Sequence, residues 1–290
     1  MNPALPKRTQ EYVGKGGVKA VILAAGYATR LYPLTLNKPK CLLAVGGRTI
    51  LDTLCDKLSG LKNLDELILV TNAKFFDQLS DWKKDTKLRL AIRVLNDGTV
   101  SNETRLGAIG DLRYVIQQCR LRADILMLAS DNLFDAGLSD FEDFALSKKG
   151  AVSVGLYDIK DPALAAKKFG VLEINGASEV IGMEEKPEFP KSSLIGMGVY
   201  YFPEDSLKLI DEYLSQPDVS DTLLRQGFGA ASLEASAKKD APGYYIRWLN
   251  GRVKIFGFLF SGMWYDIGNL KALEDANRAF QDKNYLRERK

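Results

Sequence analysis

The apolar residues of this 290-residue chain fall in short unbroken runs, separated by helix-period stripes and turn signals. Val18 to Ala25 is apolar apart from Lys19 and predicts a strand buried on both faces. Thr49-Ile50-Leu51-Asp52 has the form of a capping box, and Ile50, Leu51, Leu54, Leu58 and Leu61 make a helical stripe behind it. Leu67 to Val70 predicts a second buried strand. A helix around Lys74 to Trp82 follows, then a strand from Leu88 to Leu95 that Asn96-Asp97-Gly98 breaks. Leu106 to Cys119 reads as a helix and Ile125 to Ala129 as another apolar strand. Strands separated by helices predict an α/β fold with a mostly parallel sheet.

The second half is more mixed. Ala151 to Tyr157 continues the sheet, and Phe169 to Ile174 with Glu179 to Met183 predict a hairpin around Asn175-Gly176. Leu194 to Phe202 is a further strand, and Pro203-Glu204-Asp205 opens a helix. The Gly-, Ala- and Ser-rich stretch from Ser220 to Lys239 yields no clear element. Val253 to Phe260 predicts a strand and Asn269 to Gln281 a helix. There is no internal repeat and no low-complexity segment. The polar start, Met1 to Gly17, predicts a flexible N-terminal extension on a single domain over 18–290.

Composition narrows the chemistry. A net charge of +3, with 27% charged and 46% hydrophobic residues, gives no argument for a nucleic-acid or membrane partner. No apolar run reaches membrane-span length, and the start lacks the apolar core of a signal peptide, so a cytoplasmic protein is expected. The three cysteines, Cys41, Cys55 and Cys119, are scattered and suggest neither disulfides nor zinc. Cys41 reads as a small apolar filler rather than a nucleophile, because the chain has no histidine to activate it. The absence of histidine also removes Ser-His triads and HExxH zinc sites. Any catalysis must use carboxylates, lysine, arginine and metal.

Leu23-Ala24-Ala25-Gly26-Tyr27-Ala28-Thr29-Arg30 leaves the first strand, and Lys38-Pro39-Lys40 follows. Small residues let backbone N–H groups approach phosphate oxygens, and Arg30 and Lys40 add fixed positive charge. This suits a nucleoside triphosphate. Ser130-Asp131-Asn132 follows a buried strand, where an aspartate is either a turn carboxylate or a ligand. Trp264-Tyr265-Asp266-Ile267-Gly268 sets a second aspartate among apolar residues, as a helix N-cap or a ligand. Two carboxylates beside nucleotide phosphates suit Mg²⁺. Both the loop and Asp131 fall at the carboxyl edge of the sheet.

Taken together these segments resemble the sugar-1-phosphate nucleotidyltransferases, such as the glucose-1-phosphate thymidylyl- and uridylyltransferases, from Val18 to about Phe280. The resemblance implies a Rossmann-like, mostly parallel central sheet flanked by helices, with a small β subregion on the sugar side. It implies an enzyme that joins a nucleoside triphosphate to a sugar 1-phosphate and releases pyrophosphate. Leu23, Ala24, Ala25, Gly26, Thr29 and Arg30 would hold the nucleotide, and Asn102 and Gly107 the base and ribose. Arg30, Lys40, Asp131, Lys186 and Asp266 would carry catalysis, with Asp131 and Asp266 on Mg²⁺. Gly170, Glu185, Lys186 and Gly198 would meet the sugar phosphate.

Each assignment has a structural alternative. Glu184-Glu185-Lys186-Pro187 also reads as an exposed charged turn, Gly170 and Gly198 as ordinary strand glycines, and Asn102 or Thr104 as a helix cap. The chain departs from the family pattern at Ala28, where glycine is usual, and at Cys41, where many members have proline. The segment around Asn102 lacks the glutamine of many thymidylyl- and uridylyltransferases. The expected nucleotide is dTTP or UTP and the sugar a hexose 1-phosphate. The alternatives are a cytidylyltransferase acting on another phosphorylated alcohol, or a silent regulatory or binding homologue. A dehydrogenase lacks its G-x-G-x-x-G here, and the Arg30 and Lys40 loop speaks against a glycosyltransferase. A homo-oligomer is left open.

Overall fold

The computed structural model describes residues 17–216 and 241–288. The expected N-terminal extension, apart from Gly17, and the stretch from 220 to 239 lie outside the described residues. β1 (Val18–Leu23) leads through the small-residue loop to a short hairpin, β2 (Ala44–Val45) and β3 (Arg48–Thr49), and then to α1 (Ile50–Leu58). β4 (Leu64–Thr71), α2 (Phe76–Asp85), β5 (Ala91–Asn96), α3 (Ala108–Cys119) and β6 (Asp124–Ala129) follow in alternation. Next come β7 (Asn132–Phe134), α4 (Ser139–Ser147), β8 (Val152–Asp158), the hairpin β9 (Gly170–Ile174) and β10 (Val180–Glu185), and the long β11 (Leu194–Phe202). α5 (Lys208–Leu214), α6 (Pro242–Leu249), β12 (Ile255–Phe260), β13 (Trp264–Asp266) and α7 (Leu270–Glu288) complete the described chain.

β6, β1, β4 and β5 lie side by side and parallel, the centre that the apolar runs predict. β11 runs antiparallel beside β6 and carries two branches, the β9–β10 hairpin and the β8–β12 pair. The hairpin is the small β subregion expected. Alternate residues of each central strand feed opposite cores. Ala20 and Ile22 of β1 and Leu126 and Leu128 of β6 pack toward α1, α2 and α4. Val21, Ile125 and Met127 pack toward α3, α5 and α6. Strands covered on both faces need apolar residues at every position, which is why they read as unbroken runs.

The capping box forms: Thr49 Oγ1 accepts from the Asp52 N–H at 3.0 Å and donates to Asp52 Oδ2 at 2.6 Å. The sequence pattern missed β2, β3, β7, β13, α4 and α6. Strands of two or three residues are too short to show a period, and the buried face of α4 is interrupted by Glu142.

Register places the site. Leu23 pairs with Ala129, so the loops after β1 and β6 leave the same edge as neighbours. The loop after β1 is then tied down through its carbonyls. Thr71 Oγ1 donates to the Ala24 carbonyl at 3.1 Å, and Asn72 Nδ2 donates to the Ala25 carbonyl at 2.8 Å. Asn72 Oδ1 also accepts from the Phe75 N–H at 3.2 Å, and both Thr71 and Asn72 are fully buried. Those carbonyls are thereby committed to the protein and kept from facing an anion. Asn72→Ala removes both bonds and should cost about 2 kcal/mol of stability, read as a lower denaturation midpoint. A variant as stable as the parent would contradict this tie.

Candidate active site

A cleft of about 660 Å³ opens over the ends of β1 and β6 and runs to the β9–β10 hairpin. Every candidate residue named from the sequence lines it, from Leu23 to Gly26, Thr29 and Arg30 at one end to Gly170, Glu185 and Lys186 at the other. Lys40, Asn102, Gly107, Asp131, Gly198 and Asp266 lie between.

At the nucleotide end the chain turns sharply at Ala28, whose φ of 48° and ψ of 42° are left-handed. The position where the resembled family has glycine thus needs glycine's conformation, and alanine there carries a strain of about 1–2 kcal/mol. Leu31 N–H and Thr35 Oγ1 both donate to the Ala28 carbonyl, at 3.0 and 2.8 Å, and hold the turn. A single 3₁₀ turn over Thr29–Leu31 buries Leu31 and leaves Arg30 exposed. A second such turn, Lys40–Leu42, is anchored by the buried Cys41. Burial pushes the Cys41 thiol up to about 12, so it is an apolar filler and not a nucleophile.

The two aspartates are brought together by pairing that the sequence pattern did not disclose. β13 runs antiparallel to β7 with Asp266 opposite Asn132, and the Ile267 N–H donates to the Asp131 carbonyl at 3.0 Å. Asp266 is therefore a strand residue and not a helix cap; Asn269 Oδ1 accepts from the Ala272 N–H at the start of α7. Lys40 Nζ donates to Asp131 Oδ2 at 2.7 Å. Asn132 Nδ2 donates to Asp131 Oδ1 at 3.2 Å, and Trp264 Nε1 donates to Asn132 Oδ1 at 2.8 Å. Both Asp131 oxygens are thus engaged. Burial, and next the negative charge of Asp131, push the Asp266 carboxyl from 3.8 up to about 6, while Lys40, Arg30 and Lys186 pull it back. All three candidate cations therefore act on one carboxylate.

Gly198, at φ +74°, is needed for packing: a side-chain carbon there would lie 2.6 Å from Asn132 Nδ2 and 2.9 Å from Ala129 Cβ. At the far end, Glu185 pairs with Gly170 in the hairpin register. Burial raises the Glu185 carboxyl above its ordinary range, against the nearby Lys186 charge. Glu185 is thus no exposed turn residue, and among the described residues its side chain has no hydrogen-bond partner. Lys186 adopts a left-handed φ of 50°, with its N–H donating to the Phe169 carbonyl at 3.1 Å. Near Asn102, α3 begins at Ala108 with Gly107, at φ 79°, as its cap, so neither Asn102 nor Thr104 caps it. Thr104 bonds Ser101 instead, and Arg105 Nη1 donates to the Asn102 carbonyl at 2.6 Å.

Ala241-Pro242-Gly243, at the start of α6, also lines the cleft. Its signal was Pro242 ahead of the stripe Tyr245, Ile246 and Leu249. Among the described residues no group of three or more acidic or cysteine side chains forms a metal cage. Asp131 and Asp266 nevertheless fit a hard divalent cation. They are paired oxygen donors whose mutual repulsion such an ion relieves, and Mg²⁺ completes its shell with substrate oxygens and water.

Residues 19–283 match the nucleotidyl transferase family. The chain belongs to that family. It is 31% identical over 211 residues to a protein of Sulfolobus acidocaldarius named as a mannose-1-phosphate guanyltransferase, covering 71% of this chain and 55% of that one. It is 26% identical over 275 residues to a glucose-1-phosphate adenylyltransferase of Fusobacterium nucleatum, covering 91% of this chain and 66% of that one. The chain thus spans from about half to two thirds of the length of these relatives. A crystal structure of apo UDP-glucose pyrophosphorylase superposes with a TM-score of 0.72 at 17% identity, covering 92% of this chain and 98% of that one, and shares its fold. No helix among the described residues is long and apolar enough to cross a membrane.

The Asp266 geometry gives a pH prediction. A carboxyl whose folded value of about 6 exceeds its ordinary 3.8 favours the fold below pH 4 and loses that contribution as pH rises through 6. Asp266→Asn removes the charge, so the variant should nearly match the parent at pH 4 and exceed it by about 3 kcal/mol at pH 8 without metal. Urea denaturation of both proteins at the two pH values measures the difference. A gap that shrinks toward pH 8 would contradict the crowded-carboxylate reading.

Proposed function

We propose that the chain is a sugar-1-phosphate nucleotidyltransferase, forming a nucleotide sugar and pyrophosphate from a nucleoside triphosphate and a hexose 1-phosphate. The observation that carries this is the convergence of Arg30, Lys40 and Lys186 on the Asp131 and Asp266 pair within one cleft. A reaction between two anions needs cations at three places and no histidine. Lys186 draws in the sugar phosphate against the repulsion of the triphosphate. Its phosphate oxygen, already anionic near neutral pH, attacks the α-phosphorus in line, so neither a strong base nor a covalent enzyme intermediate is required. Lys40 stabilises charge building on the α-phosphate, and Arg30 holds the departing pyrophosphate. Asp131 and Asp266 would hold Mg²⁺, which when bound would supply neutralisation of phosphate charge. Glu185 accepts from sugar hydroxyls, and the N–H groups of the tied loop beyond Ala24, whose own N–H donates to the Val70 carbonyl at 2.8 Å, serve the nucleotide.

A matrix of nucleoside triphosphates against sugar 1-phosphates, scored by pyrophosphate release with and without Mg²⁺, tests the reading. Release should require both substrates and the metal. In the productive pair, Lys186→Ala should raise the KM of the sugar phosphate about tenfold or more and leave nucleotide affinity by calorimetry nearly unchanged. A loss of nucleotide binding with sugar-phosphate kinetics intact would reverse the placement of the two substrates.

The base preference follows from Asn102, which lines the cleft beside Gly107. Its amide carries a donor and an acceptor, as a uracil or thymine edge does, so dTTP or UTP is the favoured nucleotide. Asn102→Ala should flatten the ranking among nucleotides by roughly tenfold while lowering the best rate less. An unchanged ranking, or a wide preference for GTP or ATP, would remove this assignment and leave the phosphate chemistry standing.

A further inference from the structure

The first turn of α6 shapes the cleft around a single carboxylate. A side-chain carbon built at Gly243 would lie 1.8 Å from Glu185 Oε2 and 2.8 Å from Met183 Cε. One built at Gly170 would lie 2.6 Å from the same oxygen and 2.7 Å from the same methyl. The Glu185 carboxylate therefore occupies a slot with one glycine on β9 and another on α6. Neither glycine has a positive φ, so the slot uses the missing side chains and not the backbone freedom of glycine. The wall is rigid, because α6 buries Tyr245, Ile246 and Leu249 in the core that also holds Met183 and Leu172. Since no protein hydrogen bond among the described residues fixes Glu185, shape alone confines it and leaves its oxygens for a ligand.

We propose that Gly243 is a positioning residue: it holds the Glu185 carboxylate in place by leaving the slot empty, and so sets the discrimination among sugar phosphates. The proposal rests on the reading that Glu185 meets the sugar. A confined carboxylate that has surrendered water selects strongly for hydroxyl donors, because a sugar with a missing or inverted hydroxyl leaves it buried and unpaired. The ligand class is a sugar 1-phosphate with a hydroxyl group directed at this slot, and a deoxy analogue at that position is rejected.

Five variants test it: Gly243→Ala, Glu185→Ala, the first two together, Gly243→Ala with Glu185→Asp, and Glu185→Asp alone. KM for each substrate, kcat and the melting temperature are measured for all. Gly243→Ala should fold, since its new methyl meets only the ends of flexible side chains and alanine is the better helix former. Its sugar-phosphate KM should rise about tenfold with the nucleotide KM unchanged. In the Glu185→Ala background the same change should add almost nothing, and the shorter carboxylate that Glu185→Asp brings to the fourth variant should restore part of the loss. If Gly243→Ala proves unstable, the fourth variant against Glu185→Asp alone gives the same comparison. Additive effects in the double variant, or an unchanged sugar-phosphate KM in Gly243→Ala beside an impaired Glu185→Ala, would overturn the role of Gly243 alone. An unimpaired Glu185→Ala would overturn it together with the placement of the sugar.

Discussion

Two carboxylates held side by side in a half-buried cleft repel each other, and much of the site can be understood from how that repulsion is imposed and relieved. The short β7–β13 ladder imposes it, by setting Asp266 opposite Asn132 and the Ile267 N–H on the Asp131 carbonyl. Lys40 relieves part of it at 2.7 Å from Asp131, and Arg30 and Lys186 act on Asp266 from the two ends of the cleft. What remains is a pair of oxygen donors whose mutual repulsion a divalent cation would relieve. The same geometry that costs stability in the free protein is thus the geometry that would hold a metal in the proposed reaction.

The surroundings of that pair are built to keep it there. Trp264 donates to Asn132 and Asn132 donates to Asp131, so the residues between the two aspartates are themselves a chain of hydrogen bonds. Gly198 gives the close approach of β11 that this chain needs. On the nucleotide side, Thr71 and Asn72 take up the carbonyls of Ala24 and Ala25. Left-handed backbone at Ala28 and at Lys186 marks both ends of the cleft. Strain of this kind persists only where neighbouring contacts over-determine the chain, and here it coincides with the loops that deliver Arg30 and the Glu185-Lys186 pair.

The fold has a division of labour. The parallel centre of β6, β1, β4 and β5 is the stable frame, covered by helices on both faces. The antiparallel branch through β11 carries the hairpin of Glu185 and Lys186 and meets the first turn of α6 across the cleft. That branch can vary in the turn and hairpin without touching the frame.

The sequence by itself determined the frame, because strands buried on both faces must be apolar at every position and announce themselves as runs. It also supplied the loop from Leu23 to Arg30 and the aspartates, through local motifs whose residue types are bound to their chemistry. It brought Asp131 and Asp266 together only through the family resemblance; the pairing that joins them spans three residues on each side and depends on distant segments meeting, so no local pattern shows it. Nor did it disclose that Ala28 is left-handed or that Gly243 packs against Glu185. Those facts are relations between parts of the chain far apart in sequence, and only tertiary packing decides them.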